Sequence, residues 1–200
     1  MKRIGLLGGA FNPPHEGHLA LARIAMARLG LDELRWVPSA RSPHKPSGAP
    51  LGDARLRYLE AALAGSPFRI ETCEMDRGGT SYTVDTLEEL ARREPDAAWI
   101  LVMGADQGAG LSTWRRSERI WELASAAVAH RPGQDPPLPA SLGARIVETW
   151  SGSPGQLVLL PGTGLELSSS ALREALRGGQ EAPGIPAQVL AAIRRENLYR

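Results

Sequence analysis

Short apolar runs that end in glycine or proline alternate along this chain with stretches of helical periodicity, and that alternation constrains the fold more than any other feature. The runs are "RIGLL" before Gly8-Gly9, "ELRWVP", "FRIETCEM", "AAWILVMG", "SAAVAH" and "QLVLLP". Each reads as a strand, and Gly8-Gly9 reads as a tight turn closing the first. Between them, residues 16–29 carry Leu19, Ala22, Ile24, Met26 and Leu29 at helical spacing, with Gly30 as a stop. Further helices are expected over residues 53–64, from a Thr80 or Ser81 cap to Arg93, and over 117–123, 169–177 and 186–196. Strands that alternate with helices predict an α/β fold with a mostly parallel sheet and helices on both faces. Residues 132–155, rich in Pro, Gly and Ser, are expected to hold one short element near 142–149. Two hundred residues suit a single domain spanning 1–200. Ligands of such sheets sit at the carboxyl ends of strands, so the loops after Leu7, Pro38, Met103, His130 and Pro161 are where a site is expected.

Composition narrows the function. The net charge of +1 argues against a broad nucleic-acid surface and leaves room for a small anionic ligand. One cysteine, Cys73, excludes an intrachain disulfide and a cysteine-rich zinc site, and suggests a buried thiol in a reducing compartment. The first apolar run breaks at Asn12-Pro13-Pro14, too early for a signal peptide. No run approaches the ~20 apolar residues of a membrane span, so a cytoplasmic location is expected. Of the 23 basic residues only Lys2 and Lys45 are lysines. Biased gene composition explains the arginines, and the lysine in "SPHKP" then raises a chemical question.

The stretch "GGAFNPPHEGHL", Gly8 to Leu19, concentrates the chemistry. His15 and His18 are three apart, not at the i, i+4 spacing of the zinc-protease pattern, although His44 or His130 could complete a metal set. A structural reading, with one histidine capping a helix and the other packed, is also open. Phosphate binding accounts for more of the stretch at once. Gly8 and Gly9 let backbone approach a ligand, and residues three apart in a first helical turn share a face. Helix N–H groups and the macrodipole favour an anion there. Neither a GxGxxG nor a GxxxxGK pattern is present.

"GGAFNPPHEGHL" resembles the HxGH signature of the nucleotidyltransferase superfamily. "VPSARSPHK", "SYTVDTLEEL", "VMGADQ", "STW", "AHRPG", "LSSSALREAL" and the ending "ENLYR" make the whole chain similar to the bacterial nicotinate-nucleotide adenylyltransferase family, least so over 132–155. The resemblance implies a Rossmann-like nucleotidyltransferase fold and transfer of AMP from ATP to nicotinate mononucleotide. Pyrophosphate would leave, with Mg²⁺ as cofactor and no covalent enzyme intermediate. It makes His15, His18 and Lys45 catalytic. Gly8, Gly9, Phe11, Gly104, Asp106, Arg131, Ser168, Ser169, Ser170 and Arg173 would join both histidines in binding ATP. Asn12, His44, Lys45, Tyr82, Thr83 and Trp114 would bind nicotinate mononucleotide. No side chain is expected to ligate a metal directly, and the expected partners are the two nucleotides, with no nucleic acid or membrane; a homo-oligomer is compatible.

Each motif also has a plain reading. Gly104 and Asp106 could be a turn after a strand, Arg131 one surface arginine among many, and Trp114 a core residue. "SSSALRE" is a good helix start by composition alone. Cytidylyltransferases share HxGH, and a nucleotide-binding regulator without turnover could keep the same pocket.

Overall fold

The computed structural model describes residues 1–42, 52–130 and 144–199. Among them are seven strands, β1 (Lys2–Gly9), β2 (Glu33–Pro38), β3 (Arg69–Ile70), β4 (Ala97–Gly104), β5 (Ala124–His130), β6 (Arg145–Val147) and β7 (Gln156–Pro161). They form one sheet in the order β3-β2-β1-β4-β5-β7-β6. Every pairing is parallel, one step beyond the mostly parallel sheet expected. The helices are α1 (Glu16–Leu29), α2 (Gly52–Leu63), α3 (Cys73–Arg77), α4 (Thr83–Arg93), α5 (Ala105–Ala109), α6 (Ser117–Leu123), α7 (Ser169–Arg177) and α8 (Ala187–Glu196).

Strand periodicity divides the core into two layers. Leu7, Ile100 and Val102 face a cluster with Leu19, Ala22, Ala25 and Leu29 of α1. Ile4, Leu6, Trp99, Leu101 and Met103 face the other side, against Val84, Leu87 and Leu90 of α4. Burying each large aliphatic side chain contributes roughly 1.5–3 kcal/mol, which is why both faces of the central strands read as continuous apolar runs. A third cluster, with Tyr58, Leu172, Val189, Ile193 and Tyr199, fastens α2, α7 and α8 to one another. Helix α1 ends where expected, at Gly30 with a left-handed φ of 57°.

The chain order reverses at β1, whose neighbours are β2 and β4. The carboxyl ends of β1 and β4 therefore flank the switch-point crevice in which parallel sheets bind ligands.

Several expectations need correction. Gly8 and Gly9 are not a turn: they continue β1, opposite Val37 and Pro38 of β2. The chain turns two residues later, at Phe11, which adopts a left-handed φ of 45°. "FRIETCEM" is not one long strand. Only Arg69 and Ile70 pair with β2, and the chain then coils into α3. Glu71 is drawn into an ion cluster with Arg35 and Arg93, at 3.4 and 3.2 Å. The Thr72 hydroxyl donates to Asp76 at 2.8 Å, a contact one helical turn away. Helix α4 is capped by Tyr82, not by Thr80 or Ser81. Ser81 is occupied elsewhere, its hydroxyl accepting the Ala40 N–H at 2.9 Å. Helix α5 and the 3₁₀ turn Leu111–Thr113 were not expected at all. The element near 142–149 is the edge strand β6.

Candidate active site

The signature stretch leaves β1, turns at Phe11 and enters α1 at His15, so both histidines stand at the head of that helix. Their rings lie 3.7 Å apart with 30° between planes. The His15 N–H donates to Nδ1 of His18 at 3.3 Å, which leaves Nε2 as the nitrogen that carries the ring proton. Behind them His18 meets the edge of Phe11 at 5.2 Å, Phe11 packs on Trp36 at 5.0 Å, and Trp36 packs on Phe68 at 6.1 Å. The histidine pair thus rests on a column of aromatic rings. Among the described residues no group of three or more His, Cys, Asp or Glu side chains is placed to hold a metal.

Gly17 is the residue between them that sequence reasoning passed over. A Cβ there would stand 3.1 and 3.2 Å from Nδ1 and Cε1 of His15. A methyl at this position would therefore press on the histidine ring, which would have to give by a few tenths of an ångström. The Glu16 N–H at the start of α1, expected to face an anion, is instead taken by the Gly184 carbonyl at 2.7 Å.

The loop between β1 and α1 is held by four side chains from three other places. Arg55 of α2 donates to the Ala10 carbonyl at 2.9 Å, and burial pulls its pKa down. Arg173 of α7 donates to the Asn12 carbonyl at 2.7 Å and to the Ser170 hydroxyl at 3.2 Å. The Ser169 hydroxyl donates to the Pro13 carbonyl at 3.1 Å. Tyr199, near the end of the chain, donates from its hydroxyl to Oδ1 of Asn12. Neither Arg55 nor a structural part for Tyr199 was anticipated. The ending "ENLYR" was the available signal, and its role depends on contacts that no local pattern encodes.

These contacts sort the expected ATP residues. The N-terminal turn of α7 is docked against the signature loop through Ser169 and Arg173, which meet the Pro13 and Asn12 carbonyls. Ser168 caps α7, accepting the Ala171 N–H at 3.1 Å, which leaves the Ser169 and Ser170 N–H groups in the first turn. Cβ atoms built on Gly8 and Gly104 would meet nothing within 4 Å, so the crevice above β1 and β4 is open at both glycines. Gly9 lies against the Phe11 ring, 3.1 Å from a built Cβ. Phe11 is buried in the core, so only its backbone can face a ligand. Asp106 is exposed on the first turn of α5, directly after β4. Asn12 is buried, with its side-chain oxygen engaged by Tyr199, which leaves its amide NH₂ as the group able to meet an acceptor. His44, Lys45 and Arg131 lie outside the described residues.

A second recess of about 250 Å³ lies between the start of α4 and the segment that follows α5, lined by Ser81, Tyr82, Thr83, Thr113, Trp114 and Arg115. The segment after β2 is stitched to it, the Ser81 N–H donating to the Arg41 carbonyl at 2.8 Å. Tyr82 and Thr83 open α4, whose first N–H groups, those of Thr83 and Val84, have no acceptor within the helix. Trp114 is half-buried: it packs on the core cluster beneath and also lines the recess. Under the floor, Glu74 accepts from the Thr86 hydroxyl at 2.7 Å, and burial pushes its carboxyl above the usual range. Cys73 is buried, and burial pushes its thiol up to about 12, consistent with an inert role.

Comparison with known proteins agrees with this geometry. Residues 6–175 match the cytidylyltransferase-like family. A Bordetella petrii protein described as "probable nicotinate-nucleotide adenylyltransferase" is 39% identical over 206 residues, covering 100% of both chains. One of the same description from Hydrogenovibrio crunogenus is 37% identical over 98% of this chain and 97% of its own. A solved Plasmodium falciparum nicotinic acid mononucleotide adenylyltransferase, complexed with NaAD, superposes with a TM-score of 0.75 over 100% of this chain and 98% of its own. Its sequence identity is 18%, so this likeness speaks for the fold.

Proposed function

On the premise that the chain belongs to the nicotinate-nucleotide adenylyltransferase family within the cytidylyltransferase-like group, we propose that it transfers AMP from ATP to nicotinate mononucleotide. Two features of the chain support this reading. One is the stacked histidine pair at the head of α1, and the other is the recess walled by Trp114 and the start of α4. A phosphate oxygen of the acceptor attacks the α-phosphorus of ATP. That P–O bond forms as the bond from the α-phosphorus to the bridging oxygen breaks, and pyrophosphate departs with the electron pair. The protein's part is alignment and charge stabilisation.

His18, donating from Nε2, stabilises charge that develops on the transferring phosphate, while His15 and the α7 start hold the triphosphate. Lys45 adds a positive charge beside the same phosphates. Asp106 accepts from the ribose hydroxyls, and Arg131 lies on the nucleotide side. Asn12 and His44 serve the acceptor. The donor set around the histidines, hydroxyls and N–H groups rather than carboxylates, fits a Mg²⁺ that enters on the ATP phosphates instead of in a protein cage. When bound, that ion neutralises phosphate charge.

The acceptor's ring stacks on Trp114, and its carboxylate meets the first N–H groups of α4 and the Thr83 hydroxyl. Charge-assisted hydrogen bonds of roughly 1.5–3 kcal/mol each favour the acid over the amide. An amide would also bring NH₂ towards groups that can only donate. Pyrophosphate release should therefore be measured with ATP and nicotinate mononucleotide, nicotinamide mononucleotide or phosphopantetheine. The expected result is turnover with the acid, at a kcat/KM ~10–100-fold above that with the amide. Comparable values for acid and amide would overturn the acid-reading role of Tyr82 and Thr83. Nucleotide binding without pyrophosphate from any acceptor would favour a regulator.

A further inference from the structure

Twenty-one arginines make any one of them easy to pass over, yet Arg115 differs from its neighbours in where its charge is left. It directly follows Trp114 and lines the same recess. Its guanidinium lies over the Tyr82 ring, 4.7 Å from the centroid. A guanidinium stacked in this way has its position restrained by the ring, while its in-plane N–H groups remain available to a planar anion.

The surrounding charges decide whether that positive charge is already spent. Asp85, one turn into α4, is the carboxylate nearest to Arg115, at 3.9 Å from Nη1. The same carboxylate is held more closely by Arg116, at 3.2 Å. Arg116 also grips Glu88 at 2.7 and 3.0 Å, and Arg119 spans Glu88 and Glu122 at 3.3 and 2.7 Å. Arg116 and Arg119 are thus committed to acidic side chains away from the recess. Among the described residues the long Asp85 contact is the ion pair shown for Arg115.

We propose that Arg115 is a specificity-determining residue of the acceptor recess. Its guanidinium, stacked on Tyr82, pairs with the carboxylate of the acceptor's ring. The inference rests on the proposed function and adds a side-chain cation to the backbone donors of α4. An acid-bearing ring between Trp114 and Tyr82 gains from this charge, and an amide-bearing ring does not.

The test compares R115Q and R115K with wild type, using ATP with nicotinate mononucleotide or nicotinamide mononucleotide. Calorimetric affinity for each acceptor is measured alongside. Because Arg115 is exposed, R115Q is expected to fold with an unchanged melting temperature. It should lower kcat/KM for the acid about tenfold, the low end for a hydrogen bond to a charged group at an exposed site. The amide should change less than twofold and KM for ATP should hold, so the acid-to-amide ratio falls about tenfold. R115K, which keeps charge without the planar stack, should recover part of the ratio. Equal losses for both acceptors would overturn the proposal by showing a packing role. An unchanged ratio in an enzyme that still adenylylates the acid overturns Arg115 and leaves the proposed function standing. A wild-type protein that neither binds nor adenylylates the acid overturns both.

Discussion

Gly17 shows how much a single residue without a side chain can decide. In a first helical turn glycine is a poor choice by propensity, since alanine is favoured by roughly 1 kcal/mol in a helix. The cost is accepted because His15 needs the space: a methyl at position 17 would press on its ring, which already rests 3.7 Å from His18. Gly17→Ala should therefore separate stability from activity. The melting temperature is expected to hold or rise, while kcat falls by about tenfold or more, because displacements below 1 Å at a reacting centre are costly. Wild-type kcat in the variant would show that His15 has no fixed geometric duty. That the two histidines share the head of one helix was legible in the sequence. The reason for the glycine was not, because it depends on which way a ring points.

At the scale of elements, the start of α4 is the informative case. By composition Thr80 and Ser81 are the better caps, yet Tyr82 takes the position and Ser81 turns back to hold Ala40. Glu74 of α3 supports this arrangement from below through Thr86, which also receives a bond from Arg77 at 2.9 Å. Burial raises the Glu74 carboxyl above its ordinary value, against the pull of Thr86, Ser81 and Arg77. A folded-state pKa above the unfolded one means that the folded protein retains its proton longer. The associated stability is present below the ordinary carboxylate range and is lost as pH rises through the folded value. Glu74→Gln removes that dependence. Its melting temperature relative to wild type should climb from pH 5 to pH 8, as followed by thermal denaturation. A parallel shift at all pH values would show that the carboxyl does not titrate with folding.

Across the whole molecule, the two ends of the chain close on each other. Tyr199 reaches Asn12 across 187 residues, and it does so from a left-handed backbone with φ of 64°, following another left-handed residue at Asn197. Such conformations in residues other than glycine persist only where surrounding contacts enforce them. Here those contacts are the apolar cluster of α2, α7 and α8 together with the hydroxyl's bond to the signature loop. Burial pushes the Tyr199 hydroxyl up to about 12, so it stays a donor throughout the neutral range. Tyr199→Phe would leave the buried Asn12 oxygen without this donor, at a cost of about 1–3 kcal/mol. Urea unfolding should show that loss, and deletion of residues 199 and 200 a larger one, since the buried ring goes too. Unaltered stability in both would remove the C-terminus from the clasp.

The sequence by itself determined the α/β architecture, the bounds of α1, α6 and α7, and the identity of the signature stretch. The architecture and the helix bounds rest on apolar periodicity or turn chemistry among a dozen or so neighbouring residues, and the signature stretch on its resemblance to a known family. Only the tertiary structure decided that "FRIETCEM" breaks after two paired residues, because Glu71 and Glu74 are drawn to Arg35, Arg93 and Thr86 on other elements. It also decided that Arg55, Arg173 and Tyr199 converge on one loop. The same holds for Arg115, whose charge remains available to the recess because Arg116 lies closer to Asp85. A side chain's partner across the fold depends on where the backbone of every intervening element has gone, and no local pattern carries that information.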